Sequence, residues 1–305
     1  MKIFVTGSSG FIGQNLTKKL AGTHEIHHMQ SDLREHDKVK QEVFHADPDM
    51  IVHLAARTEV QESFVEQTLF SEINYVGTIN LIDAAIKVKG LKNFVFASTM
   101  ETYGWQPISD EVKQNGTPSE FQMFDENTPT NPNCPYAVAK LGCEHYLKYA
   151  RRSYGLPYTI IRQTNAYGRH DNDYFVTEQI ITQMLKNQDE INLGYSEPYR
   201  NFIFKDDIID MWLSVIHNAD RCEAKTFTIG PDQAIKIRDY ADIIRKKLNW
   251  SGQINWNMKP PRPGEIYWLC SNHKLITATT GWQPTTSLSE GLDKTIEIWK
   301  ENYAQ

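Results

Sequence analysis

The chain has 305 residues, 40% of them hydrophobic, enough for one large core or two joined ones. Lys and Arg number 32 against 38 Asp and Glu, a formal net charge of −6. That balance excludes nucleic acid as the main partner, which needs clustered cations, and no apolar run approaches the roughly 20 residues that span a bilayer.

Met1 to Val5 enters a strand-like segment with no signal-peptide pattern. Cys134, Cys143, Cys222 and Cys270 show no C-x-x-C spacing, so reduced, buried thiols in a cytoplasmic protein are expected. Lys2 to Thr6 reads as a strand, and Phe11 to Leu20 as a helix with apolar residues at 11, 12, 16 and 20. A weaker strand covers His24 to Met29. After a helix ending near Phe44 and the Asp47-Pro48 breaker comes another strand, Met50 to Leu54. A helical pattern then runs from Asn74 to Val88, followed by the strand Asn93 to Ser98. Tyr136 to Arg152 is helical and Tyr158 to Arg162 extended. Strands alternating with helices imply a parallel sheet covered on both faces.

Beyond about residue 170 the rhythm breaks. Phe175 to Leu185 and Asp206 to His217 read as helices around a short extended run, Tyr199 to Phe204. Thr226 to Ile229 and Arg238 to Leu248 form a last βα pair, and Lys259 to Gly264 is loop. Trp105 to Pro132 is polar, turn-rich and long for a connection. The fold class expected is α/β: a doubly wound parallel sheet with helices on both faces, plus a smaller mixed α/β C-terminal part. The first unit takes residues 1–168 with a return segment at about 203–230, the second 169–202 and 231–305.

Gly7, Gly10 and Gly13, with Ser9, Phe11 and Ile12, lie between the first strand and the first helix. Glycine there permits a tight turn and close backbone approach to a pyrophosphate, which the free N–H groups of the helix start then face. The context points to a dinucleotide site.

From Thr6 to Gly13 the sequence resembles the cofactor loop of the extended short-chain dehydrogenases/reductases, the NAD(P)-dependent nucleotide-sugar epimerases and dehydratases. His53-Leu54-Ala55-Ala56, Asn74-Tyr75-Val76-Gly77-Thr78 and Tyr136-Ala137-Val138-Ala139-Lys140 are similar to further motifs of that family, in its order. So are Thr164 to Gly168, Arg200-Asn201-Phe202 with Asp206-Asp207, and Arg262-Pro263-Gly264-Glu265. The resemblance implies a Rossmann domain at residues 1–168, a substrate-binding domain in the remainder, NAD or NADP as cofactor, a nucleotide-diphosphate sugar as substrate, and a homodimer paired through helices that include Tyr136 to Arg152. It also places Leu54, Ala55 and Ala56 along the cofactor and Asp32 with Leu33 at its adenine.

Tyr136 and Lys140 lie four apart on one helical face. A tyrosine pKa near 10 is too high for a neutral-pH base, and a nearby ammonium lowers it. By resemblance Tyr136 removes the proton from a sugar hydroxyl, Lys140 also holds the nicotinamide ribose, and Thr99 hydrogen-bonds the reacting hydroxyl. Glu101 completes a Thr-x-Glu pattern that resembles 4,6-dehydratases and uronate decarboxylases; in a dehydratase the carboxylate takes the C5 proton made acidic by a C4 ketone. Met100 between them departs from the dehydratase pattern, because a thioether donates no proton to a leaving hydroxyl. A 4-epimerase and a non-catalytic NAD(P) sensor are the other readings.

Gln30 stands where an acid selective for NAD would sit, with His28 and Arg34 nearby, so the sequence leans slightly to NADP. Asn165, Arg200 and Arg262 are the candidates for the substrate diphosphate, since arginine binds phosphate oxygens in bidentate fashion. The ten histidines show no ligand spacing, and no metal is implied.

Overall fold

The computed structural model describes residues 1–108, 121–258 and 262–304. Six parallel strands form the central sheet: β1 (Lys2–Thr6), β2 (Glu25–His28), β3 (Met50–His53), β4 (Asn93–Thr99), β5 (Tyr158–Gln163) and β10 (Lys225–Ile229). Their order is β10-β5-β4-β3-β1-β2. The order reverses beside β1, which in an open α/β sheet opens a ligand crevice at the carboxyl ends of the strands.

Side chains alternate across these strands, so one sequence feeds two cores. Ile3, Val5, Met50, Val52, Val95 and Ile161 pack on one face against α1 (Phe11–Leu20) and α8 (Lys205–His217), whose Leu16, Ile208 and Trp212 are buried. Phe4, Ile51, Phe94, Phe96 and Ile160 pack on the other face. They meet α2 (His36–Ala46), α5 (Gly77–Ala85) and α6 (Pro135–Tyr154) through Val39, Leu81, Ile82 and Leu147. Short helices α3 (Val60–Ser63) and α4 (Gln67–Ser71) lead through a π-helical turn, Glu72–Val76, into α5. The expected helix from Asn74 therefore starts as a π-turn. There the Asn74 carbonyl accepts from Thr78 Oγ1 at 2.6 Å and Cys143 Sγ at 3.2 Å. Single π-turns of this kind collect at functional sites.

Past β6 (Asn165–Tyr167) the elements are short. They are α7 (Val176–Lys186), β7 (Glu190–Asn192), β8 (Tyr199–Arg200), β9 (Phe202–Phe204), α9 (Ala219–Cys222) and β11 (Ile235–Lys236). The chain closes with α10 (Ile237–Lys247), β12 (Gln253–Asn255), β13 (Trp268–Leu269), α11 (Lys274–Thr280) and α12 (Leu288–Ala304). The extended run from Tyr199 is two strands in two sheets, because buried Asn201 breaks it with hydrogen bonds to Pro231 O (2.9 Å) and Ser271 O (2.7 Å). Residues 109–120 of the Trp105–Pro132 stretch, and 259–261 of the Lys259–Gly264 loop, lie outside the described residues. Among the described residues no helix is long and apolar enough to cross a membrane, and no cluster of three potential metal ligands occurs. All four cysteines are free and buried.

Candidate active site

The carboxyl ends of β1 and β3 and the start of α5 are pinned to one another. Thr6 Oγ1 lies 2.6 Å from His53 Nδ1 and accepts from Ala55 N at 3.2 Å, while His53 Nε2 lies 2.8 Å from Thr78 Oγ1. Burial, then the Lys140 charge, holds the His53 pKa well below its usual value, so this imidazole is a neutral strut. Gly7 follows with φ +68°, and a Cβ there would stand 2.6 Å from Ala55 N. One on Gly13 would stand 2.1 Å from Gly7 O. The turn is bare backbone for steric reasons, and no side chain caps the start of α1 at Gly10. Such a cradle fits the diphosphate of a dinucleotide.

This turn opens into one cleft of about 1250 Å³. That exceeds the ~300–1,000 Å³ of a site for one small ligand and leaves room for a cofactor and a second nucleotide. Gly7, Ser9, Gly10, Phe11, Ile12 and Gly13 line one end, with Leu54, Ala55 and Ala56 beside them. Thr99, Met100, Glu101, Tyr136 and Lys140 line the same cleft, as do Asn165, Arg200 and Arg262. Asp32 and Leu33 stand apart from this lining. Arg34 grips Asp32 at 2.6 Å and holds its carboxyl down at about 2, while Leu33 is buried beneath Gly77.

Around the reacting groups, geometry modifies the expectation. Thr99 ends β4, and its Oγ1 accepts from Glu101 N at 3.2 Å, which starts the short helical turn Met100–Thr102. Tyr136 is 7% exposed. Burial drives its phenol above the ordinary tyrosine value, and the Thr99 hydrogen bond pulls the other way. The expected lowering by the Lys140 ammonium is not what governs it: desolvation comes first, and Cys134, Glu101 and Glu59 nearby raise the phenol further. Lys140 itself is pulled down to about 8 by burial; its Nζ donates to Ala97 O at 2.8 Å and lies 4.7 Å over the Phe96 ring. Glu101 is raised by desolvation against the opposing charges of Arg262 and Arg200. Arg200 spends its donors on Tyr199 O, Ile266 O and Glu265 Oε1, so it is a braced wall of the cleft. Asn165 Nδ2 donates to Asn201 O at 3.3 Å.

Three features escape a linear reading of motifs. Glu144, one turn beyond Lys140, is fully buried, accepts from Ser98 Oγ at 2.5 Å, and is gripped by Arg162 at 2.7 and 3.0 Å. The signal was an arginine in an otherwise apolar strand. Arg169, directly after Gly168, enters the cleft beside Phe11. Glu42, from α2, closes the turn after β2 by accepting from Gln30 N and Ser31 N, each at 2.8 Å. Glu42 is outside the cleft lining, its oxygens taken by Gln30 and Ser31, and the lean to NADP finds no support.

A doubly wound parallel sheet with an uncapped helix start at a bare glycine turn defines a dinucleotide-binding protein of the Rossmann class. The chain matches the model of the NAD dependent epimerase/dehydratase family over residues 3–230 and belongs to that family of NAD(P)-dependent enzymes. It is 26% identical to a putative UDP-glucose 4-epimerase of Methanocaldococcus jannaschii, covering 98% of this chain and 99% of the relative. It is 28% identical to dTDP-glucose 4,6-dehydratase 1 of Escherichia coli, covering 99% and 93%. Among solved structures, UDP-glucuronic acid 4-epimerase from Bacillus cereus, in complex with UDP-glucuronic acid and NAD, superposes with a TM-score of 0.87. It is 22% identical and covers 99% of this chain and all of that one, a likeness of fold.

Proposed function

We propose that this protein oxidises C4 of a nucleotide-diphosphate sugar and then either removes the C5 proton and dehydrates the sugar, the favoured 4,6-dehydratase course, or returns the hydride to the other face of C4 and epimerises it. The observation that supports this is that Thr99, Glu101, Tyr136 and Lys140 line the same cleft as the glycine turn, with Thr99 Oγ1 fixing the start of the Glu101 turn. When bound, NAD(P) supplies a hydride acceptor for C4 and later gives the hydride back. Tyr136 would accept the O4 proton as its phenolate, a form that the positive nicotinamide ring of the bound cofactor and the Lys140 ammonium would favour, and Thr99 would orient that hydroxyl. Lys140, tethered at Ala97 O, would also hold the nicotinamide ribose. Glu101, desolvated and so a stronger base, takes the C5 proton once C4 is a ketone. In dehydration the C6 hydroxyl leaves as water, and its proton comes from Glu101 because Met100 has none to give. Arg262 and Asn165, with Arg200 as a braced neighbour, face the substrate diphosphate.

A second reading rests on Met100: uronate decarboxylation expels no hydroxyl and needs no acid there. Mass spectrometry of UDP-, GDP-, dTDP- and CDP-sugars turned over in deuterated water separates these courses. Loss of water with deuterium at C5 supports dehydration, loss of carbon dioxide the decarboxylase, and unchanged mass with an inverted centre the epimerase. Glu101→Gln should still reduce the cofactor in a single turnover while solvent deuterium no longer enters C5. Exchange at the wild-type rate would remove Glu101 from the mechanism. A protein that never changes the cofactor spectrum with any sugar is the sensor.

The Glu42 carboxylate at the end of β2 repels a 2′-phosphate and suits a free 2′-hydroxyl. NAD should therefore bind about tenfold tighter than NADP, and Glu42→Gln should narrow the gap. Tighter NADP binding in calorimetry would sink that assignment. Val138, Tyr149 and Tyr154 are exposed on α6, the helix proposed to pair in a homodimer, and four free buried thiols suit the cytoplasm. We also assign residues 1–168, with the return segment near 203–230, to cofactor binding, and the remainder to substrate.

A further inference from the structure

We propose that Arg169 is a ligand of the cofactor diphosphate, held ready between two aromatic rings at the edge of the glycine turn. The inference rests on the dinucleotide reading of the cleft and adds to it a residue outside the turn, the Tyr-Lys pair and the substrate arginines.

The guanidinium carbon lies 4.3 Å from the centre of the Phe11 ring and 3.9 Å from that of Phe175. Phe11 is the first residue of α1, so the cation sits beside the uncapped helix start. Its side chain is only 11% exposed, yet its bonding is poor. Nη1 donates to Ala166 O and stands 3.8 Å from Glu178 Oε2, too far for a hydrogen bond. Among the described residues, Nε and Nη2 meet no acceptor. Glu178 does not answer this need: its Oε1 accepts from Gly168 N (2.9 Å) and Arg169 N (3.0 Å), and its buried Oε2 has no hydrogen-bond partner. Arg169 lines the cleft, and these two donors are not sealed off as buried, unpartnered atoms, so they stay open to an acceptor that enters there.

The turn lacks what Arg169 has. Gly7 to Gly13 contains no cation, and a helix start contributes only about half an elementary charge toward a dianion. Of the other cations lining the cleft, Lys140 is tethered to β4, Lys186 lies 3.6 Å from Asp173, Arg200 meets Glu265 and backbone carbonyls, and Arg262 is the one proposed above for the substrate diphosphate. A planar fork locked by stacking on two rings loses little freedom when it grips phosphate oxygens. The same contacts could instead be a strap tying α7 to α1. The two roles differ in which ligands feel the loss.

Binding of NADH, ADP-ribose and adenosine to the full chain, by calorimetry, separates them. Arg169→Gln should weaken NADH and ADP-ribose, both carrying the diphosphate, by about ten- to a hundredfold, and leave adenosine unchanged. The wild-type affinity for NADH should also fall more steeply with salt than that of the variant. Equal affinities for NADH in the two proteins, or the same loss for adenosine as for ADP-ribose, would overturn the proposal. Should Arg169→Gln fail to fold, Arg169→Lys keeps a charge between the rings with fewer directed donors. It should lose several-fold in NADH affinity with adenosine unchanged, and an undiminished NADH affinity would count against the proposal equally. Wild-type protein that binds neither NAD(H) nor NADP(H) overturns the dinucleotide reading itself, whereas tight wild-type binding with an indifferent variant overturns only Arg169.

Discussion

Tyr136→Phe should reduce turnover of the nucleotide sugar by about a thousandfold or more while NAD(P) affinity stays within about twofold. The substitution removes one oxygen from a ring that is 7% exposed, so packing in the cleft is preserved. What goes is the group that takes the O4 proton, and nothing else within the site replaces it. Thr99 Oγ1 still accepts from Glu101 N, so the turn carrying Glu101 keeps its shape. The cost in folding stability is therefore no more than about one hydrogen bond, roughly 1 kcal/mol. Steady-state kcat with saturating sugar, beside a fluorescence titration with NAD(P)H, reads both quantities. A variant that keeps a tenth of wild-type kcat would remove Tyr136 from the role of base. A matching loss of cofactor affinity would instead make Tyr136 a binding residue.

The central sheet was legible because its strands are hydrophobic on both faces, with helical patterns between them. Lys2 to Thr6, Asn93 to Ser98 and Tyr158 to Arg162 each fall within a residue of the observed strands. Where the reading faltered, the determinants were not local. The start of the helix at Asn74 is a π-turn because Thr78 and Cys143 claim a backbone carbonyl, and Cys143 is remote in sequence. The long helix α12 packs Leu292, Ile296 and Trp299 into the cluster that holds Tyr167 and Ile180, a core assembled from many short pieces. The candidate site divides along the same line. Gly7, Thr99, Tyr136 and Lys140 sit in sequence motifs at strand ends or on one helix, and the cleft contains all four. Glu42 and Arg169 reach their positions across the fold, and a one-dimensional spacing rule has no term for them. The expected pull of Lys140 on Tyr136 missed for a related reason: charge spacing can be read along a helix, but desolvation depends on the whole enclosure.

Glu144→Ala should destabilise the protein by about 3–5 kcal/mol, the largest stability effect expected from a single charge deletion here. Glu144 and Arg162 are 0% and 5% exposed, and the guanidinium meets both carboxylate oxygens. Removing the carboxylate leaves a buried arginine with no counter-charge, and water cannot easily reach it. Replacing both residues by apolar side chains of similar size, Glu144→Leu with Arg162→Met, should recover much of the loss, because neither charge then remains buried. Urea unfolding of the two single variants and the double variant gives the coupling directly. A cost below about 1 kcal/mol for Glu144→Ala would mean the pair is already solvated in solution. The pair also bears on the chemistry. Its carboxylate accepts from Ser98, the residue before Thr99, and the Arg162 guanidinium lies 4.9 Å over the ring of Tyr103, just past the Met100–Thr102 turn. The strand end that presents Thr99 and Glu101 is thus held from beneath by a charged network, so the double variant should regain stability faster than it regains kcat. Full recovery of both would show that packing alone positions the site.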